Sequence, residues 1–188
     1  MRKYLLTFFV IGAFSKLATG QELKLIQSGF ADVKENSKNF IVIDAPGKAK
    51  NDLYNSTLKF ISSTYNNPKF VTTKIDGEQI IIDAVGQGVS KRTMRLSESN
   101  VWDLNYKLII DFKDSKIRVE PIFKNYENLE GSNVILSGKK ILGNVFGLFN
   151  DKGKPNSDKA IKDAEAFIND IIKRYADNIK VSKDNNDW

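Results

Sequence analysis

Between Val101 and Phe112 the chain alternates with a period of two. Trp102, Leu104, Tyr106, Leu108, Ile110 and Phe112 fall on one side, and Asp103, Asn105, Lys107 and Asp111 on the other, with Ile109 the exception. That spacing predicts a strand with one covered and one wet face. Lys113-Asp114-Ser115 reads as a tight turn, and Lys116 to Phe123 returns with Ile117 and Val119 inward and Arg118 and Glu120 outward. Upstream, Lys69 to Asp76 and Glu78 to Val85 flank Asp76-Gly77, a hairpin turn signal. These four strands predict an antiparallel sheet.

The period changes in two other places. Tyr54, Leu58, Ile61 and Tyr65, widened by Leu53 and Phe60, form one face of a helix over Lys50 to Tyr65, stopped by Asn66-Asn67-Pro68. Ile161, Ala164, Phe167, Ile168, Ile171, Ile172 and Tyr175 form a second stripe, on a helix capped by Ser157 or Asp158 and running to about Asn178. A short strand, Asn39 to Asp44, precedes the first helix and ends at Ala45-Pro46-Gly47. The expected order is β-α-β-β-β-β-α. Two amphipathic helices and a sheet with one apolar face bury against each other as a two-layer α+β sandwich. Gln21 to Asn39 reads as a polar lead-in. The Gly-rich stretch 124–157 reads as an insertion, and 183–188 as a tail.

The first twenty residues follow a different logic. Arg2 and Lys3 precede an uncharged apolar run, Tyr4 to Phe14, and Ala18-Thr19-Gly20 places small residues before Gln21. Charge, apolar run and small residues in that order predict a signal peptide over 1–20. The run is shorter than the roughly 20 residues a permanent span takes. Residues 21–182 then form one domain, exported to the periplasm or cell surface, with no transmembrane span after cleavage.

Composition narrows the chemistry. Of 29 basic residues, Arg2, Lys3 and Lys16 lie in the signal segment, so the remainder carries 26 against 23 acidic ones. That balance does not call for a nucleic-acid partner. The chain has no Cys, so no disulfide holds it. It also has no His, which removes the commonest general base and zinc ligand. No cofactor and no metal site are implied.

The segments FIVIDAPGKAK (40–50), NDLYNSTLKFISSTY (51–65), VTTKIDGEQIIIDAVGQG (71–88) and YKLIIDFKDSKIRVEPI (106–122) together resemble an exported bacterial family, the domain of unknown function 4468 with a TBP-like fold. The resemblance implies that fold and an envelope setting. It implies no activity, and the fold name carries no inference of DNA binding.

Four features remain as candidate chemistry. Gly86-Gln87-Gly88 with Lys91 and Arg92 has the composition of a phosphate loop, but it ends a strand without opening a helix, so it reads as a strand end or bulge. Asp83, Asp103, Asp111 and Glu120 share the wet face with Lys74, Lys107, Lys116 and Arg118, the mixed charge of an exposed sheet. Trp102, Tyr106 and Phe112 alternate onto the covered side, away from any single-strand nucleic-acid platform. Ile141, Leu142, Val145, Phe146, Leu148 and Phe149 form an apolar, glycine-spaced segment behind Lys139-Lys140. It reads either as a contact surface for an envelope protein or lipid, or as cover for part of the core.

The expected function is a non-enzymatic binding or accessory module of the bacterial cell envelope. Two alternatives stand beside it. One is an envelope hydrolase using the sheet-face carboxylates. The other is a carrier holding an apolar ligand between Trp102, Tyr106, Phe60 and Phe167.

Overall fold

The computed structural model describes residues 21–92, 100–138 and 145–181. The chain starts with a hairpin, β1 (Leu23–Ile26) and β2 (Gly29–Asp32), followed by β3 (Ile41–Asp44) and helix α1 (Lys50–Thr64). A single turn, α2 (Pro68–Val71), leads into β4 (Thr72–Ile75), β5 (Gln79–Arg92), β6 (Asn100–Lys113) and β7 (Lys116–Asn128). Two short strands, β8 (Asn133–Ser137) and β9 (Val145–Phe149), precede the long helix α3 (Asp158–Val181). The expected α+β arrangement holds: α1 and α3 lie on one face of a sheet that is antiparallel except at one pair. No helix of the described residues is long and apolar enough to cross a membrane.

The sheet has the order β4-β5-β6-β7-β8-β9. Strand β7 serves two partners on its outer edge. Its start, Lys116 to Val119, pairs with β3, and its end, Tyr126 and Glu127, pairs with β8. The β8–β9 pair is parallel. The segment 124–157, expected as an insertion, thus completes β7 and adds two strands to the same sheet.

The register follows the sequence alternation. Trp102, Leu104, Tyr106, Leu108, Ile110 and Phe112 are all buried, as are Ile80, Ile82, Ile117 and Val119 beside them. Ile80 pairs with Ile110 and Ile110 with Val119, so the inward row runs straight across three strands. Lys74 departs from the expected wet face. It pairs with Ile80, which puts it on the helix side at the exposed edge strand.

Helix α1 lacks a side-chain cap of its own. The Lys50 N–H instead donates to Asp114 Oδ1 at 2.8 Å, so the β6–β7 turn caps it. Leu53, Tyr54, Phe60 and Ile61 are its buried face. Helix α3 buries Ile161, Ala164, Ile168, Ile171, Ile172, Tyr175 and Ile179. The two helices meet through Phe60 and Tyr175, whose ring centroids lie 5.1 Å apart, and through the Thr57 and Tyr175 hydroxyls at 2.6 Å. Burial pushes the Tyr175 hydroxyl well above its usual pKa.

The lead-in expected at 21–39 is an ordered hairpin. Leu23, Leu25 and Phe30 join the core. Helix α3 holds the backbone of β1 with its side chains. The Leu23 N–H donates to Asn169 Oδ1 at 3.0 Å, Asn169 Nδ2 donates back to the Leu23 carbonyl at 2.8 Å, and the Leu25 N–H donates to Glu165 Oε1 at 2.7 Å. Periodicity could not reveal the hairpin, because each strand is four residues long. The turns that set up β3, β8 and α3 are built by side chains. Asp32, Asn128 and Asn150 each accept two downstream backbone N–H bonds through Oδ1.

Candidate functional site

Beyond Tyr106 the regular sheet is interrupted twice, and the interruptions shape one end of the molecule. In β7 the pairing steps from Tyr106–Phe123 to Asn105–Asn125, leaving Lys124 as an extra residue. That bulge reverses the parity of the strand, so Tyr126 turns inward where Phe123 already did. In β5 the pairing jumps from Gly86–Leu104 to Ser90–Trp102. The Gly86-Gln87-Gly88 segment is therefore a bulge inside a strand that continues to Arg92. Gly88 has φ +64°, and its N–H donates to Asp103 Oδ1 at 2.7 Å. The carboxylate holds the bulge, and no helix N-terminus follows it.

Beyond the two bulges the ends of β5, β6 and β7 meet the first turn of α3. A cavity of about 250 Å³ opens there. Buried Trp102, Tyr126, Val134 and Leu148 form its floor. Lys91, Asn156, Ser157 and Lys159 line its rim, with buried Ser90 beside them. Among the described residues, no Asp or Glu lines it.

Each wall is fixed by a specific contact. The Tyr126 hydroxyl donates to the Ala160 carbonyl at 2.9 Å, tying the strand to the first turn of α3. Burial, and then the charge of Asp163, push that hydroxyl well above its usual pKa, so it stays a donor. Ser157 caps α3, its Oγ accepting from the Ala160 N–H at 3.4 Å and its carbonyl from the Ile161 N–H at 3.2 Å. Asn156 reaches across to β9, donating from Nδ2 to the Gly147 carbonyl at 2.9 Å. Asp163 sits behind the rim and accepts from Ser90 Oγ and from Lys159 Nζ, both at 2.6 Å. Lys91 has no ion pair among the described residues. The Trp102 indole N–H is buried and has no hydrogen-bond partner among the described residues.

The carboxylates of the wet face do other work. Asp83 lies 2.9 Å from Lys124 and 3.8 Å from Lys107. Asp111 and Glu120 flank Arg118 at 3.3 and 2.7 Å, and the Arg118 guanidinium stacks on the Phe40 ring, 4.5 Å from its centroid. With Asp103 holding the bulge, all four are engaged in ion pairs or backbone contacts. Among the described residues, no group of three or more Asp, Glu, His or Cys is placed to hold a metal ion.

The apolar segment expected as a contact surface is divided. Ile141 and Leu142 lie outside the described residues. Val145 and Phe146 belong to β9, a strand and not a helix. Leu148 and Phe149 are buried in the core. In β9 they run parallel to β8, with Phe149 opposite Ser137. The cavity expected between Trp102, Tyr106, Phe60 and Phe167 is displaced. Tyr106 and Phe167 meet edge to face at 5.6 Å, and the open space lies beyond Trp102. Sequence reasoning missed Ser90, Lys91, Tyr126 and Lys159 as neighbours, because the bulges that gather them leave no periodic trace.

Residues 40–122 match the family model described as a domain of unknown function (DUF4468) with TBP-like fold. That region is similar to DUF4468. Ser90, Lys91 and Trp102 of the cavity fall within the matched residues, while the rest of its wall comes from strands and helix that follow them. Two solved structures are similar. A DUF4468 family protein from Bacteroides ovatus has 14% identity, with 74% of this chain and 84% of that one covered at a TM-score of 0.49. A TBP-like protein from Parabacteroides distasonis has 12% identity, with 74% and 90% covered at a TM-score of 0.48. No curated protein matches.

Proposed function

We propose that the chain is a non-enzymatic binding module of the bacterial cell envelope, and that it holds its ligand in the cavity at the start of α3. The observation that carries this reading is the cavity itself, with an apolar floor and a rim of hydrogen-bonding groups held in place from behind. A small-molecule site needs that combination. At about 250 Å³ it lies just below the usual range of about 300–1,000 Å³, so its ligand is small.

The lining also favours binding over catalysis. A serine nucleophile needs an adjacent base to take its proton. Ser90 is the buried hydroxyl here, and it donates to Asp163, a carboxylate already neutralised by Lys159. The chain has no His to serve instead. The envelope setting is supported by the signal-peptide pattern of residues 1–20.

The test is native mass spectrometry of the protein after passage over envelope extract, with Ala160→Phe as the control that fills the cavity. A bound species of defined mass on the wild type, lost from Ala160→Phe, is the expected result. Equal retention by the two proteins, or none by either, would defeat the reading. N-terminal sequencing of the same preparation should begin at or near Gln21.

A further inference from the structure

We infer that the exported chain carries a modification site at its own start. Gln21, once signal cleavage makes it the first residue, closes to pyroglutamate, and the Val42 N–H assists the closure. This rests on the export reading above, in which residues 1–20 are removed. The ligand cavity plays no part in it.

The first observation lies in the sequence. Ala18 and Gly20 place the cleavage before Gln21. Cleavage there turns the Gln21 backbone nitrogen into a primary amine, within ring-closing reach of the side-chain carbonyl of the same residue.

The second lies in the structure. Strand β3 pairs with β7 along one edge, and among the described residues no strand takes the other. The Val42 N–H points from that open edge and donates to Gln21 Oε1 at 2.8 Å. A donor needs the oxygen of the amide to face it, which turns Nε2 away. The same bond draws charge from Cδ and stabilises the oxyanion that forms when a nucleophile adds there. The residues after Gln21 are fixed. The Glu22 carbonyl accepts from the Val33 N–H at 2.9 Å, and Leu23 is held by Asn169. Gln21 itself is exposed, so the new amine and the departing group meet water.

The step balances without a further reactant. The unprotonated amine attacks Cδ, and the negative charge of the tetrahedral intermediate rests on Oε1 beside the Val42 N–H. The Cδ–Nε2 bond then breaks, Nε2 takes up the proton that the attacking nitrogen gives up, and ammonia leaves. The lactam keeps Oε1 as its carbonyl oxygen, so the acceptor of the Val42 N–H survives. The charge of the terminal amine is lost, and the end is closed to aminopeptidases.

The experiment uses protein released from an N-terminal tag by a protease that leaves Gln21 first. Its N-terminal peptide is followed by mass spectrometry at about pH 8, where about half of such amines are unprotonated. The loss of one ammonia should run about tenfold faster in the folded protein than in the denaturant-unfolded chain, less than the hundredfold or more of a donor in a dry oxyanion hole. Val42→Pro removes the N–H at an open edge, where proline is tolerated, and should lower the folded rate to the unfolded one. If that variant does not fold, the wild-type comparison decides alone. A folded rate equal to or below the unfolded rate, or a full rate in folded Val42→Pro, would show that Gln21 only covers the strand edge and would overturn the inference. Protein exported with its own signal should begin at Gln21 and lack one ammonia. Gln21 with an intact amide would overturn the modification and leave the export reading standing. A start at another residue would remove the export cleavage and the inference with it.

Discussion

The ring of Phe167 on α3 lies directly against the backbone of Gly86 in β5. A Cβ built at Gly86 would clash with Phe167 Cζ and lie 2.7 Å from Phe167 Cε1 and 2.9 Å from Val89 Cγ2. Phe167 has little room to retreat, because its other side meets Tyr106 edge to face. Helix α3 therefore reaches β5 at a position without a side chain, where the bulge begins. Gly86→Ala should cost about 1–3 kcal/mol in a denaturant titration, as overpacking does. The same change in a Phe167→Leu background should cost less, because the ring edge is gone. Equal costs in the two backgrounds would show that the contact is not the cause.

Tyr106 and Lys107 are adjacent but face opposite sides of β6. Tyr106 is buried and pairs its hydroxyl with that of Tyr65 at 3.0 Å, whereas Lys107 makes only a 3.8 Å approach to exposed Asp83. Tyr106→Ala should destabilise the fold by about 3–5 kcal/mol. Lys107→Ala should change it by no more than about 0.5 kcal/mol. Chemical denaturation of the two variants checks both values. Similar effects would contradict the register.

Alkaline pH should unfold the protein. Burial holds the hydroxyls of Tyr106, Tyr126 and Tyr175 well above the ordinary value near 10 in the folded state. Above pH 10 the unfolded chain releases protons that the folded chain keeps, so stability falls as pH rises. Below pH 10 these groups are protonated in both states and their contribution is fully present. The melting temperature should be insensitive to them up to about pH 9 and drop steeply beyond about 10. Phenolate absorbance from these three tyrosines should appear with unfolding and not before it. Tyrosine ionisation at pH 10 in a still folded protein would contradict their burial.

Phe149 tests the placement of β9. It is buried on the strand that closes the sheet, so Phe149→Ser removes a large apolar side chain and leaves a hydroxyl there. The thermal midpoint should fall sharply, with a loss of about 3–5 kcal/mol. An unchanged midpoint with impaired liposome or partner binding would return the segment to the surface.

What the amino-acid sequence disclosed depended on the length of each repeat. Strand β6 gives six inward apolar residues in a row of alternations, and α3 gives seven at helical spacing, so both were legible with their buried faces. The elements that escaped, β1, β2, β8 and β9, are four or five residues long and offer two alternations at most. They are set by contacts at long range, such as Leu23 with Asn169, and by Asx turns at Asp32, Asn128 and Asn150. The cavity was illegible for a related reason. Gly86-Gln87-Gly88 was readable as a bulge, but its effect on Ser90, Lys91 and Trp102 needs the partner bulge at Lys124. There the only trace is that Phe123 and Tyr126, two inward residues, stand three apart.

The grip of α3 on strand β1 has a consequence in time. A ribosome makes Leu23 first and Asn169 146 positions later. At ordinary rates of synthesis the interval is on the order of ten seconds. Throughout it, Leu23, Leu25 and Phe30 have no helix to lie under, and the β1 backbone lacks the amide and carboxylate that hold it. The beginning of this domain is therefore among its last parts to fold, and whatever attends the nascent chain meets that hairpin open.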